Sequence, residues 1–206
     1  MLGNLNITYI VVVIISILIA MAVHEFMHAY VGYKLGDTTA HDEGRLSLNP
    51  FRHIDPVMTV ALPVLTLLLF QAPILAAKPV PFNPARVKYD EFGAAMIAAA
   101  GPLSNLALAF LAALLAHAFA PGSFLVQVLD VFTTLNVALF VFNLIPIPPL
   151  DGSRVLYAFA PKPLQELMEQ IEPYGFFIIF GLVLLPGIGL GTLLQSLNVF
   201  VLNLLP

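Results

Sequence analysis

The sequence predicts an all-α polytopic membrane protein: a bundle of four to six transmembrane helices with a re-entrant segment and a short extended, β-like loop. Of its 206 residues, 60% are hydrophobic and only 10% charged, against about 25% charged in soluble domains. The apolar residues also gather in runs of the length a bilayer demands, about 20 residues. No polar linker, low-complexity tract or repeat divides the chain, so residues 1–206 read as one domain. Cysteine is absent, which excludes disulfides and leaves His and carboxylates as metal donors. A net charge of −4 with eight Lys and Arg offers no broad basic face, so the expected partner is the lipid bilayer and not nucleic acid.

Four runs qualify as membrane spans: residues 7–31, 92–119, 124–145 and 174 to about 202. The first lacks a basic leading region and an Ala-x-Ala cleavage site, so it reads as a retained helix and not a signal peptide. Pro186 and Gly187 interrupt the last, which is either one kinked helix or two shorter passes. A fifth run, residues 57–77, is long enough but contains Pro63, Gln71 and Pro73. It leads into Lys78-Pro79-Val80-Pro81-Phe82-Asn83-Pro84, which reads as extended chain. Charge placement arbitrates, because Lys and Arg collect in cytoplasmic loops. They occur at Lys34, Arg45 and Arg52, at Lys78, Arg86 and Lys88, and at Arg154 and Lys162. A full crossing by residues 57–77 would put the first two groups on opposite sides, whereas a re-entrant dip keeps all eight cytoplasmic. Non-helical backbone at that depth requires shelter by protein or a wet cavity. The expected location is a multi-pass position in a prokaryotic cell membrane, with the active site near the cytoplasmic side.

The first span carries His24-Glu25-Phe26-Met27-His28, a His-Glu-x-x-His pattern. Helical residues four apart lie about 40° apart around the axis, so both imidazoles can face one ion. Zinc, one per chain, fits best: two imidazoles plus a carboxylate leave a position for water, and Glu25 is placed to take that water's proton. The competing explanation is helix-to-helix hydrogen bonding by buried polar groups. Against it, three ionisable residues within one turn and a half of a transmembrane segment are costly and point to function. The best third ligand is Asp151, in Phe142-Asn143-Leu144-Ile145-Pro146-Ile147-Pro148-Pro149-Leu150-Asp151-Gly152, where the prolines forbid a regular helix and let the chain turn back. With residues 57–77 re-entrant, Asp151 returns to the side of His28. Alone, Asp-Gly before Ser153-Arg154 would pass for ordinary cap and turn chemistry.

Together these pieces resemble the site-2 protease family of intramembrane metalloproteases. The resemblance also takes in Asn49-Pro50-Phe51-Arg52-His53-Ile54-Asp55-Pro56 and Ala100-Gly101-Pro102-Leu103-Ser104-Asn105. It runs from about residue 20 to 155 in the family's order, without a PDZ-like insertion, as in compact members. It implies zinc held by His24, His28 and Asp151, Glu25 as general base, and a transmembrane or membrane-proximal polypeptide as substrate, as in regulated intramembrane proteolysis.

Lesser positions can then be weighed. Family likeness suggests that the Asn143 amide helps hold the substrate carbonyl or oxyanion, with interhelical hydrogen bonding as the alternative. Asn105 is a candidate substrate contact, although the sequence favours a structural role, satisfying backbone freed by Pro102. Val80 and Phe82 are further candidates, since an extended edge can pair with an extended substrate, a plain returning loop being the alternative. His53 and Asp55 follow a cluster of loop charges and are read as bordering the cavity entrance. His41, His117 and Asp130 are assigned nothing. A rival function for the whole cluster is transit of a divalent metal through a transporter or channel.

Overall fold

The computed structural model describes residues 6–55, 80–184 and 190–206. Helix α1 spans Ile7–Lys34, its first turn capped by the Asn6 side chain, which accepts from the Thr8 amide at 3.0 Å. At 1.5 Å per residue its 28 residues extend about 42 Å, enough to cross a bilayer. Its pattern inverts that of a soluble helix. The residues it buries are small or polar, Ser16, Ala20, Ala22, His24, Glu25, His28, Ala29 and Gly32. Ile7, Ile10, Val11, Ile14, Ile15 and Ile19 point outward. Lipid accepts that outer face, and small inner residues let neighbouring helices approach closely.

After the short helix α2, Thr39–Asp42, a 3-10 turn covers Pro50–Arg52 and another Pro84–Arg86. Each opens with an Asn-Pro pair whose Asn side chain accepts from the amide two residues on. Helix α3, Asp90–Ala116, has Asp90 and Glu91 in its first turn, where acidic groups meet the positive end of the helix dipole. It is the central element, packed on α1, on α4 (Phe124–Asn143) and on α5 (Asp151–Phe159). Helix α4 starts with Ser123 accepting from the Val126 amide and ends just before the proline-rich turn.

Three of the expected spans thus stand as helices long and apolar enough to cross a membrane, Ile7–Lys34, Asp90–Ala116 and Phe124–Asn143. In the fourth run the described residues form α7, Gly175–Leu184, and α8, Leu190–Leu202, of 10 and 13 residues. Before them, α6 (Lys162–Ile171) is tied to α5 by Tyr157 Oη donating to Glu169 at 2.5 Å, and Arg154 pairs with Glu172. The C-terminal helix α8 returns to α4: Leu194, Val201 and Leu202 pack against Ala109, Val137 and Val141. The re-entrant expectation for residues 57–77, and the break at Pro186 and Gly187, lie outside the described residues. Among the described residues no strand occurs. The described part of the expected extended loop, Val80 to Asn83, is irregular chain before the Pro84–Arg86 turn, because its prolines withhold the amide donors a ladder requires.

Candidate metal centre

His24 and His28 lie one turn apart on the buried face of α1, and α5 begins at Asp151 directly opposite them. The two Nε2 atoms are 3.0 Å apart, and Asp151 Oδ2 stands 3.2 Å from that of His24 and 3.4 Å from that of His28. Both histidines are buried. Their outer nitrogens are occupied: His28 Nδ1 donates to the Ile97 carbonyl at 2.7 Å, and His24 Nδ1 to Asn105 Oδ1 at 2.6 Å. With Nδ1 carrying the hydrogen, a neutral ring leaves its lone pair on Nε2.

Three lone-pair atoms therefore converge with no hydrogen between them, and Asp151 Oδ2 is buried without a hydrogen-bond partner. With both rings neutral, such an arrangement repels itself unless a cation sits among the three. The separations suit zinc, because tetrahedral bonds of 2.0–2.1 Å place neighbouring ligands about 3.3 Å apart. His24, His28 and Asp151 also form the group of described residues able to hold an ion, with all donor atoms within 4.8 Å of one another.

The backbone is shaped around this cluster. A Cβ on Gly101 would lie 2.4 Å from His28 Nε2 and 2.6 Å from His24 Nε2, so only glycine lets α3 come this close. On the opposite side, a Cβ on Gly152 would stand 2.2 Å from the Leu144 carbonyl oxygen. Gly152 thereby lets the first turn of α5 fold onto the end of α4, and the Ser153 hydroxyl and amide both donate to the Leu150 carbonyl to close the turn. Glu25, next to His24, is buried, and its Oε2 has no hydrogen-bond partner.

The other sequence candidates fall elsewhere. Asn105 is 0% exposed. It does not line an open surface. Beyond His24 it donates through Nδ2 to Asn136 Oδ1 at 2.9 Å and to the Ala20 carbonyl at 3.3 Å, so it binds α1 and not the backbone freed by Pro102. Asn143 is partly buried and donates to the Leu139 carbonyl of its own helix at 2.9 Å. Phe82 packs on the apolar group of Leu35, Val87 and Ile97, and Val80 is partly buried in the chain leading to it. His53 is buried and holds its own loop, Nε2 donating to the Ser47 carbonyl at 2.7 Å. Sequence reasoning passed over Asn136, whose signal was present: an amide near the middle of a membrane helix, among Thr133, Thr134 and Asn143. Gly101 entered the sequence reading only as part of the Ala100–Asn105 motif, with no role of its own.

A histidine pair on a membrane helix, closed by a carboxylate from a distant turn, defines a class of membrane-embedded metal-site proteins. The sequence pattern of Peptidase family M50 matches residues 120–186, the part that includes Asp151. The chain belongs to Peptidase family M50, the site-2 proteases. It is 37% identical over 182 residues to YwhC of Bacillus subtilis, covering 84% of this chain and 80% of that one. It is also 30% identical over 185 residues to Rip2 of Mycolicibacterium smegmatis, covering 86% and 68% of the two chains. With MJ0611 of Methanocaldococcus jannaschii it shares 32% identity over 156 residues, 74% and 73% of the respective chains. All three carry provisional names as zinc metalloproteases. No solved structure gives a significant match.

Proposed function

We propose that this chain is an intramembrane zinc metalloprotease, one domain over residues 1–206, that hydrolyses peptide bonds in transmembrane or membrane-proximal segments of its substrates. The observation that carries this is the convergence of two imidazole nitrogens and one carboxylate oxygen, at 3.0 to 3.4 Å, beside the buried Glu25, whose Oε2 has no hydrogen-bond partner. His24, His28 and Asp151 would hold one zinc per chain. Bound there, zinc supplies a Lewis acid that polarises the scissile carbonyl and lowers the pKa of water toward ~7. Glu25 Oε2 takes the proton of the attacking water and returns it to the leaving amine. Asn143 has a second amide hydrogen beyond the one given to Leu139, and this supports a role in steadying the developing oxyanion.

A substrate must be unwound before cleavage, because helical backbone ties up its own carbonyls. The irregular stretch through Val80 and Phe82 keeps amides between its prolines on one side only, and that side would pair with such an extended segment. It is anchored by the Asn83 amide donating to Asp37 at 2.7 Å. The placement of the eight Lys and Arg supports a cluster near the cytoplasmic face.

The test compares the native chain with Glu25→Gln, measuring zinc content and cleavage of a transmembrane substrate together. Zinc is expected to remain while cleavage falls about 100- to 10,000-fold, the contribution of a positioned general base. Equal cleavage by the two proteins would remove Glu25 from the chemistry.

A further inference from the structure

The amides beneath His24 form a chain with a direction. Phe132 contributes a backbone carbonyl, which can only accept, so the Asn136 atom 2.9 Å from it is the amide nitrogen. Asn136 Oδ1 must then face Asn105, where it accepts from Nδ2 at 2.9 Å, the shorter of that nitrogen's two bonds, the other reaching the Ala20 carbonyl at 3.3 Å. That leaves Asn105 Oδ1 turned to His24 Nδ1 at 2.6 Å, and an amide oxygen there requires the ring hydrogen on Nδ1. The His24 lone pair is thereby placed on Nε2, beside His28 Nε2 and Asp151 Oδ2.

Asn105 and Asn136 are both 0% exposed, so water does not compete for either amide. Two asparagines buried at membrane depth are tolerable only when their donors and acceptors are matched. His28 is oriented differently, directly by the Ile97 carbonyl, and needs no such chain.

We infer that Asn136, on α4, is a positioning residue for the metal site, fixing through Asn105 which nitrogen of His24 is free to ligate. This rests on the metal-binding reading above. Asn136 touches neither ion nor substrate. It transmits the polarity of one backbone carbonyl across two helices, and supporting partners of this kind typically change metal affinity about 10- to 100-fold when removed.

The test uses the full chain in detergent. Zinc affinity is read by competition with a chromophoric chelator, and the His24 tautomer by ¹⁵N shifts of histidine-labelled, metal-free protein. Asn136→Leu is expected to weaken zinc binding about 10-fold or more and to shift part of His24 to the Nε2–H form, with His28 unchanged. Asn105→Asp offers His24 an acceptor whichever oxygen faces it. In that background, adding Asn136→Leu should alter affinity less than about twofold, because the two positions act in series. Native affinity and an unchanged His24 tautomer in Asn136→Leu would overturn the relay while leaving the metal reading intact. A loss that Asn105→Asp fails to rescue would also overturn it, by marking general damage to packing. A native chain that binds no zinc would overturn the metal reading and the relay with it.

Discussion

The histidine side of the cluster and the aspartate side reach the same point by different physical means. On α1 the two rings are fixed by hydrogen bonds at their outer nitrogens, to Ile97 and Asn105, so side-chain chemistry sets their orientation. Asp151 has no comparable partner at Oδ2, and its side chain is 21% exposed against 9% and 10% for the two histidines. What places it is backbone shape, the proline-rich turn and the contact of Gly152 with Leu144. One half of the site is specified by which atoms donate, the other by where the chain can go. The two halves should therefore fail differently.

The largest effect is expected where steric exclusion meets the hydrogen-bonded half. Gly101→Ala places a methyl group 2.4 to 2.6 Å from the Nε2 atoms of His28 and His24, and neither ring can retreat without breaking its Nδ1 bond. Zinc affinity and cleavage should each fall about 100-fold or more, as misplacements of about 1 Å do elsewhere. A zinc titration alongside a cleavage assay reads both, and native values would refute the close approach of α3. A smaller effect is expected at the carboxylate. In Gly152→Ala the new Cβ would lie 2.2 Å from the Leu144 carbonyl oxygen and 2.7 Å from that of Ile145. The turn must open and carry Asp151 with it, for a loss of about 10-fold in zinc affinity. Histidine ¹⁵N signals should stay native in this variant. If they shift as much as in Gly101→Ala, the two halves are not held independently.

This division also explains what could be read without coordinates. Spacing alone puts His24 and His28 on one face of a helix, and prolines announce a turn at residues 146–149, so the three residues that converge were legible. Their supports were not. The bond from His24 to Asn105 joins residues 81 positions apart, and the next joins Asn105 to Asn136 across 31; neither follows from local periodicity. Gly101 suffered the same fate, because a small residue in a membrane helix predicts close packing without saying what packs there. Span boundaries were read to within a few residues for α3 and α4, whereas the C-terminal run was left open between a kinked helix and two short ones.

The smallest effect on the metal centre is expected where hydrogen bonding holds something remote from it. Asp37 is buried just beyond α1, accepting from the Thr39 amide and hydroxyl at 3.0 and 2.5 Å and from the Asn83 amide at 2.7 Å. It thus ties the loop after α1 to the chain that precedes α3. Burial pushes its carboxyl up, but the bonds from Thr39 and Asn83, with the Arg86 charge nearby, outweigh burial and hold it below the usual carboxylate range. Because the folded value lies below the unfolded one of about 3.9, this tie contributes fully above that pH and is lost as pH falls through the folded value. Asp37→Ala leaves the Asn83 amide without its acceptor, so stability should drop by about 1–3 kcal/mol while zinc affinity stays native. Thermal unfolding in detergent across a pH series checks it: the gap between native and variant proteins should be present at neutral pH and close in acid. An Asp37→Ala protein that unfolds with the native one at neutral pH would show that this loop is held by its apolar contacts instead, the Phe82 packing on Leu35 and Val87.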